Sequence, residues 1–410
     1  MVDEFEQYRT NNLFLLMGTN PLPNYVAAKL LAKPDGYIYF VYTDETDKIT
    51  NRLIEVLKLK DDKYFKIPTD GTDEANIFNQ VARYAKGKKD IGINYTGGTK
   101  IMSVQSYRAI EKISPDAVFS YLDARELSMR ISKLNELIAP YPVEHSVKLP
   151  FSDLLFMHGY TLDHPPEKNP IQYEVACDLA NLERDSLDSL RCWCNYNLRS
   201  GPRTPIKGTT GNRKKKEQER KQLMEIKLPE DDALIVLSSS KHGCNTLGEL
   251  SKKWGIDIGE LARWLDGKWL EHYTLWAVKK AASSCDINDW GLNIEPKEKD
   301  FEFDVAAMFG YQLFAISCTT DKNKGLLKQK LFEAYIRARQ MGGEEARVGL
   351  VCCASPEDPN SNPEKIEHEI QEEWDAKYKI RVFGADTLPK LPEIFEDWFK
   401  LKASNEGQDQ

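Results

Sequence analysis

Between Leu13 and Leu122 short apolar runs alternate with amphipathic stretches, and this alternation limits the chain more than any other feature. The runs Leu13–Met17, Tyr37–Tyr42, Tyr64–Ile67, Ile91–Tyr95 and Ala117–Leu122 have the length and the β-branched and aromatic content of strands. Tyr25–Lys33, Lys48–Leu57, Glu74–Lys86 and Ile101–Ile113 place apolar residues three and four apart, the spacing of one helix face. Such alternation predicts a parallel sheet with helices on both faces, and ligands bind these sheets at the carboxyl ends of the strands.

With 410 residues the chain exceeds what one core usually serves, so more than one domain is expected. A second α/β pattern starts at Trp269 with a long amphipathic helix, a hairpin of Phe301–Met308 and Gln312–Ser317, a helix at Leu326–Gln340 and a buried-type strand at Arg347–Cys353. Between the two patterns, residues 145–200 read as a connector with a helix at Tyr173–Asn181. Ser200–Lys227, with Arg213-Lys214-Lys215-Lys216 and Arg220-Lys221, reads as an exposed loop, and Thr246–Trp264 as short helices broken at Asp257–Gly259. The expected organisation is a sensor-like unit at 1–144, a connector with a basic loop and a small helical, winged-helix-like segment at 145–254, a second α/β unit at 255–402 and a polar tail at 403–410.

Composition excludes several classes. No run approaches the roughly 18 apolar residues of a membrane span, and the acidic start Met1-Val2-Asp3-Glu4-Phe5-Glu6 lacks the basic region of a secretory signal, so a cytoplasmic protein is expected. A net charge of −8 argues against coating nucleic acid by bulk electrostatics, so any such contact must be local. The basic cluster at 213–221 could track a phosphate backbone, but a solvated loop explains it as well. Cys192-Trp193-Cys194 has no second Cys or His pair at zinc spacing, and His242 and Cys244 have no partner for nucleophilic catalysis. Trp254, Trp264, Trp269 and Trp276 recur at helical intervals and read as packing residues.

Two loops carry binding chemistry. After the first strand, Gly18-Thr19-Asn20-Pro21 leads into a helix; after the fourth, Thr96-Gly97-Gly98-Thr99-Lys100 opens another. Glycines allow close backbone approach, and helix starts present unpaired N–H groups, so both loops suit phosphate or ribose. Either alone could be a tight turn; on adjacent strands the pair favours a site. Asn94-Tyr95-Thr96-Gly97-Gly98-Thr99-Lys100-Ile101-Met102, with Gly18-Thr19-Asn20-Pro21 before it, resembles the CARF domain, a Rossmann-like sensor of cyclic oligoadenylate in type III CRISPR accessory effectors. The resemblance spans Leu13–Glu144, and the Gly-Gly-Thr-Lys-x-Met run marks the subgroup fused to a PD-(D/E)xK nuclease. It implies a homodimer sharing one cyclic ligand, most simply the tetramer, with Gly18, Thr19, Asn20, Thr96, Gly97, Gly98, Thr99 and Lys100 lining the pocket and Met102 packed below. Thr43 and Asp44 are weaker candidates, for which a solvated turn is the alternative.

Metal-dependent phosphodiester hydrolysis needs carboxylates around Mg2+ or Mn2+ and commonly a lysine for the anion. The segment Gly267–Val351 resembles the PD-(D/E)xK restriction-endonuclease-like α/β domain of that subgroup, with Glu271 as the helix carboxylate and Asp304 as the strand carboxylate. Ser317 stands where a second strand acid is expected and Thr319 where the lysine is expected, so the site is either rebuilt from elsewhere or inactive. Rebuilding would draw on Leu326–Gln340: Lys330 and Glu333 share a helix face while Lys328 points elsewhere. Lys330 is thus the candidate catalytic lysine, a solvated helix face being the alternative. Glu302 alternates with Asp304, and the metal set expected is Glu271, Asp304 and the main-chain carbonyl of Cys318. The resulting expectation is a cyclic-oligoadenylate-activated nuclease cutting DNA, RNA or both. Its rival is a ligand-controlled regulator with an inactive nuclease-like domain.

Overall fold

The computed structural model describes residues 4–401 apart from 134–135, 144, 202–203, 206–212, 230–231 and 299–300. The tail expected at 403–410, the boundary residue Glu144 and part of the expected basic loop lie outside the described residues.

The N-terminal unit runs β1 Thr10–Leu16, α1 Leu22–Leu31, β2 Ala32–Tyr42, α2 Asp47–Val56, β3 Tyr64–Pro68, α3 Glu74–Ala85, β4 Ile91–Asn94, α4 Lys100–Ile113 and β5 Val118–Asp123. A hairpin, β6 Ser128–Lys133 and β7 Glu136–Pro142, completes it. The seven strands form one sheet in the order β3-β2-β1-β4-β5-β6-β7, parallel through β5 and antiparallel beyond it. The strand order reverses between β1 and β4, which pair directly, so the crevice used by doubly wound sheets opens between the two loops singled out in the sequence. The β6–β7 hairpin was not expected; its Met129 and Ile131 face the same core as Leu122.

A connecting region follows, with α5 Phe151–Met157, α6 Tyr173–Ala180, α7 Arg184–Asn197, the short strands β8 Arg199–Gly201 and β9 Thr204–Pro205, α8 Arg213–Met224, α9 Ser239–His242, α10 Leu247–Trp254 and α11 Ile258–Arg263. The basic cluster therefore sits on a helix, not in the loop that its polarity suggested. The reason is that α8 docks against α10 and α11, with Leu223 wholly buried and Arg220 bonded to Asp257 at 2.5 Å. The break before α11 comes from Gly255 in the left-handed region and from Asp257, whose side chain caps the helix start.

The second sheet is reached through α12 Trp269–Ala281 and comprises β10 Ile287–Ile294, β11 Phe303–Phe309, β12 Gln312–Thr319, then α13 Lys324–Gly342, β13 Arg347–Cys352, α14 Pro363–Glu373, β14 Ile380–Phe383 and α15 Leu391–Lys400. Its order is β10-β11-β12-β13-β14, antiparallel up to β12 and parallel after it. The expected hairpin is present, but β11 starts at Phe303, so Phe301 and Glu302 precede the strand.

Alternation along the strands explains the layering. In β1, Leu13 and Leu15 enter one core while Phe14 and Leu16 enter another beneath α3 and α4. In β12, Leu313 and Ala315 join the first of these cores, whereas Phe314, Ile316 and Cys318 face a third core shared with α12, α15 and the connecting helices. One core thus joins the two sheets through α1, α5 and α13. Trp264 and Trp269 are fully buried in the third, as their spacing suggested. No described helix is long and apolar enough to cross a membrane.

Candidate functional site

Four loops meet at the carboxyl ends of the N-terminal strands. A Cβ on Gly18 would stand 3.0 Å from the Gly98 nitrogen, so the loops after β1 and β4 are in direct contact. Gly97 has no room for a side chain, because its Cβ would lie 2.2 Å from the Leu16 carbonyl oxygen. Gly98 adopts φ +76°, a left-handed conformation that glycine takes without strain. Thr99 caps α4 by accepting from the Met102 N–H at 3.1 Å and donates to the Gly71 carbonyl at 3.3 Å, drawing in the loop after β3. Thr96 accepts from the Leu122 N–H at 2.7 Å, which ties its loop to β5. Lys100 is exposed at the first position of α4, and Met102 is buried beneath Gly98.

Thr43 caps the short turn Asp44–Thr46, and its methyl approaches Gly71. It therefore borders the same rim, while Asp44 is exposed. Thr19 is exposed beside Gly18. Asn20 caps the start of α1 through the Leu22 N–H at 3.0 Å, and its amide nitrogen lies against Gly343 at the end of α13. Half-buried glycines, hydroxyls, an exposed lysine and two helix starts around one crevice can accommodate an anionic, ribose-bearing ligand.

In the second sheet the acids and the lysine come together. Asp304 Oδ2 accepts from Ser317 Oγ at 2.9 Å and from the Cys318 N–H at 2.7 Å, and lies 3.5 Å from Lys330 Nζ. Ser317 thus fixes the acid instead of replacing a missing one. Lys330 reaches the site from α13, whereas Lys328 pairs with Glu369 at 2.8 Å away from it. Glu271, in the first turn of α12, lies 3.7 Å from Lys268. Burial and the neighbouring Asp304 carboxylate push its pKa up to about 7. Burial and Asp304 also raise Glu302. Burial pulls the Lys330 ammonium down, but Asp304, Cys318 and Glu271 together leave it above its ordinary value. The Cys318 thiol is held protonated by burial, so only its main chain faces chemistry.

A cavity of about 790 Å3 opens beside this cluster, lined by Glu271, Cys318, Thr319 and Lys330 together with Arg191, Arg199, Arg263 and Lys268. Thr319 bonds the Asp321 N–H and shapes the turn after β12. A smaller recess of about 190 Å3 holds Glu302, Asp304, Ser317, Lys330 and Glu333. Glu302 reaches it from ahead of β11 instead of by strand alternation. Two carboxylates with a main-chain carbonyl suit Mg2+ or Mn2+ when water and a phosphate complete the shell. Among the described residues no three His, Cys, Asp or Glu side chains gather as a metal-holding group.

Residues 13–136 match the family model described as the Card1 CARF domain. Residues 13–136 are a CARF domain. Protein VC1899 from Vibrio cholerae has a similar structure, with a TM-score of 0.64, 17% identity and coverage of 95% of this chain and 98% of that one. Can2 from Sulfobacillus thermosulfidooxidans, solved in complex with cyclic tetra-adenylate, gives 0.63 at 15% identity over 97% and 99% of the two chains. A type III CRISPR defence DNA nuclease activated by cyclic oligoadenylate gives 0.50 at 16% identity, covering 86% of this chain and 47% of that one. No curated protein matches by sequence.

Sequence reasoning missed two members of the CARF crevice. Gly71 sits in Asp70-Gly71-Thr72-Asp73, a cluster of turn formers after β3 that signals a tight loop but no partner. Asn24, wholly buried in α1, donates to the Leu16 carbonyl at 2.8 Å and braces the strand end that Gly97 approaches. A buried Asn in an apolar helix stretch was the available signal.

Proposed function

We propose that this chain is a type III CRISPR accessory effector in which cyclic oligoadenylate, most simply the tetramer, binds the CARF crevice of a homodimer and activates a metal-dependent PD-(D/E)xK-type nuclease. The observation that carries this reading is that Lys330 lines both the cationic cavity beside Glu271 and the adjoining recess that holds Asp304, 3.5 Å from its ammonium, in a chain that also bears a CARF domain. The ligand that accompanies Can2, and the activator named for the CRISPR nuclease, support the choice of activator.

In this reading Gly18, Thr19, Asn20, Thr43 and Thr96 to Lys100 take the ligand, glycines giving backbone N–H groups and Lys100 a charge. Binding shifts the equilibrium of the dimer only as far as the ligand prefers one state. The contact of Asn20 with Gly343 supports a link, since the ligand loop touches the end of the helix that bears Lys330. Mg2+ or Mn2+, held by Glu271, Asp304 and the Cys318 carbonyl, would supply Lewis-acid activation of water and of the scissile phosphate. Ser317 and the Cys318 N–H hold Asp304 in position, and Lys330 steadies the phosphate anion. Glu271 must give up its proton before it can act as a ligand. The substrate is DNA, RNA or both.

The second reading, a ligand-controlled regulator without catalysis, draws on Ser317 and Thr319 in the places of an acid and a lysine. Purified protein with cyclic tetra-adenylate, Mn2+ and labelled DNA and RNA strands separates the two. Ligand-dependent cleavage is expected. No cleavage above the unliganded control under several divalent metals would leave the regulator standing.

A further inference from the structure

Beside the acid–lysine cluster lies a second cavity of about 720 Å3, between α7 and the turn Trp264–Lys268. Arg191, Arg199, Asp266, Thr320 and Asp321 line both this cavity and the one over Glu271 and Lys330, so the two are compartments of one cleft. The shared wall is rigid. Arg191 donates to the Asp266 carbonyl at 3.0 Å and to Thr320 Oγ1 at 3.1 Å, while Arg199 grips the Asp266 carboxylate at 3.1 and 3.2 Å. Asp266 and Asp321, the latter 4.0 Å from Arg191, balance the two guanidiniums at the neck between the compartments.

The far compartment differs in character. Its floor is apolar, built from Leu187, Leu190, Leu265 and Trp269, all buried. Its rim carries Asn195 and Tyr196, and Tyr196 is 87% exposed, more than any other large apolar side chain among the described residues. A tyrosine ring left in water at the lip of an apolar hollow is suited to a flat partner. Asn195 offers both a donor and an acceptor, and the Asp188 carboxylate, paired with Lys322 at 2.5 Å, offers acceptors at the edge.

We propose that this compartment is a nucleobase subsite, an inference that rests on the nuclease reading above: the strand is cut over Glu271 and Lys330 while the base of a neighbouring nucleotide enters the Tyr196 pocket. Acid–lysine centre, arginine-lined neck and apolar pocket adjoin through shared walls, as phosphate and base adjoin along a strand. The volume lies within the roughly 300–1,000 Å3 of small-ligand sites. A base can enter only when it is out of its pair, so the pocket selects unpaired or flipped nucleotides.

The test uses the full chain with cyclic tetra-adenylate and a 5′-labelled single strand in which one abasic nucleotide is moved along the sequence. Binding is read by fluorescence anisotropy in Ca2+, and cleavage in Mn2+. In the wild type, abasic substitution at one position beside the cut is expected to weaken binding about tenfold, the scale of one lost base–aromatic stack. Tyr196→Ala and Asn195→Trp should erase that dependence, and Tyr196→Phe should keep it. If no position is sensitive in the wild type, or if the sensitivity survives both Tyr196→Ala and Asn195→Trp, the subsite is refuted. Absence of cleavage in Mn2+ would count against the nuclease reading alone, because the anisotropy series decides the subsite without it.

Discussion

The side-chain amide of Asn20 lies directly against Gly343, so the loop after β1 and the end of α13 press on each other at one point. A methyl on Gly343 would stand 2.4 Å from Asn20 Nδ2 and 2.5 Å from Glu345 Oε2, and Gly343 has φ +70°. Gly343→Ala therefore meets three penalties: a positive-φ backbone at ψ −157° that is nearly confined to glycine, worth about 1–3 kcal/mol, a clash with Glu345 and a clash with Asn20. Only the last vanishes in Asn20→Ala. Denaturant unfolding of the two single variants and the double variant should show Gly343→Ala costing less in the Asn20→Ala background. Strict additivity would mean that the contact carries no energy.

Gly97 and Lys100 stand three residues apart but should fail in different ways. Gly97→Ala would force a Cβ to within 2.2 Å of the Leu16 carbonyl oxygen, so the loop must shift and the melting temperature should drop together with ligand affinity. Lys100 is exposed, and Lys100→Ala should leave the melting temperature in place while weakening cyclic tetra-adenylate binding about tenfold. Calorimetric titration with parallel thermal unfolding reads both. An unchanged dissociation constant for Lys100→Ala would remove that residue from the site.

The parallel part of the first sheet was legible because its strands are buried on both faces and its helices on one, which leaves a clear period in Leu13 to Leu122. The hairpin β6–β7 was not, since the apolar residues of β6 are only Met129 and Ile131, and Ser128, Arg130 and Ser132 on the opposite face are residues that any loop could carry. The helix α8 stayed hidden for a related reason: its residues are almost all charged, and its stability comes from Leu223 and from Arg220 on Asp257, contacts far off in sequence. At the second site the residue types Glu271, Asp304 and Lys330 could be read, and the last needed only helical spacing. The role of Ser317 could not, because a hydroxyl facing a strand acid across a hairpin becomes visible only once the register Val305 to Ile316 is fixed.

That register yields a graded series for cleavage. Lys330→Ala removes the ammonium 3.5 Å from Asp304 and should lower the ligand-stimulated rate about a hundredfold. Ser317→Ala leaves the charge set and the Cys318 N–H bond intact but removes one of the two hydrogen bonds to Asp304 Oδ2, with an expected loss of about tenfold, the lower end for a residue that orients a metal ligand. Lys328→Ala disturbs only the outlying pairs with Glu369 and Glu373 and should cleave like the wild type. Single-turnover rates on a labelled strand rank the three. Equal losses for Lys328→Ala and Lys330→Ala would show that neither lysine serves the reaction specifically.

Two buried carboxyls give stability a pH dependence with a definite sign. Glu271, through burial and then Asp304, and Glu345, through burial, are each raised from 4.5 to about 7. The folded chain keeps protons that the unfolded chain has released, so their contribution is full below about pH 4.5 and is lost as pH rises through about 7. With a chelator present, melting temperature should fall across that window, and Glu271→Gln and Glu345→Gln should each flatten part of the fall. Adding Mn2+ should flatten only the Glu271 share, because a cation at the acid pair competes with the proton on Glu271 and has no access to Glu345, which is 3% exposed beyond the end of α13. The cleavage rate should climb over the same pH range and level off above it. If Mn2+ leaves the melting curve of the wild type and of Glu271→Gln equally unchanged at every pH, Glu271 is no metal ligand, and its raised pKa reflects burial beside Asp304 alone.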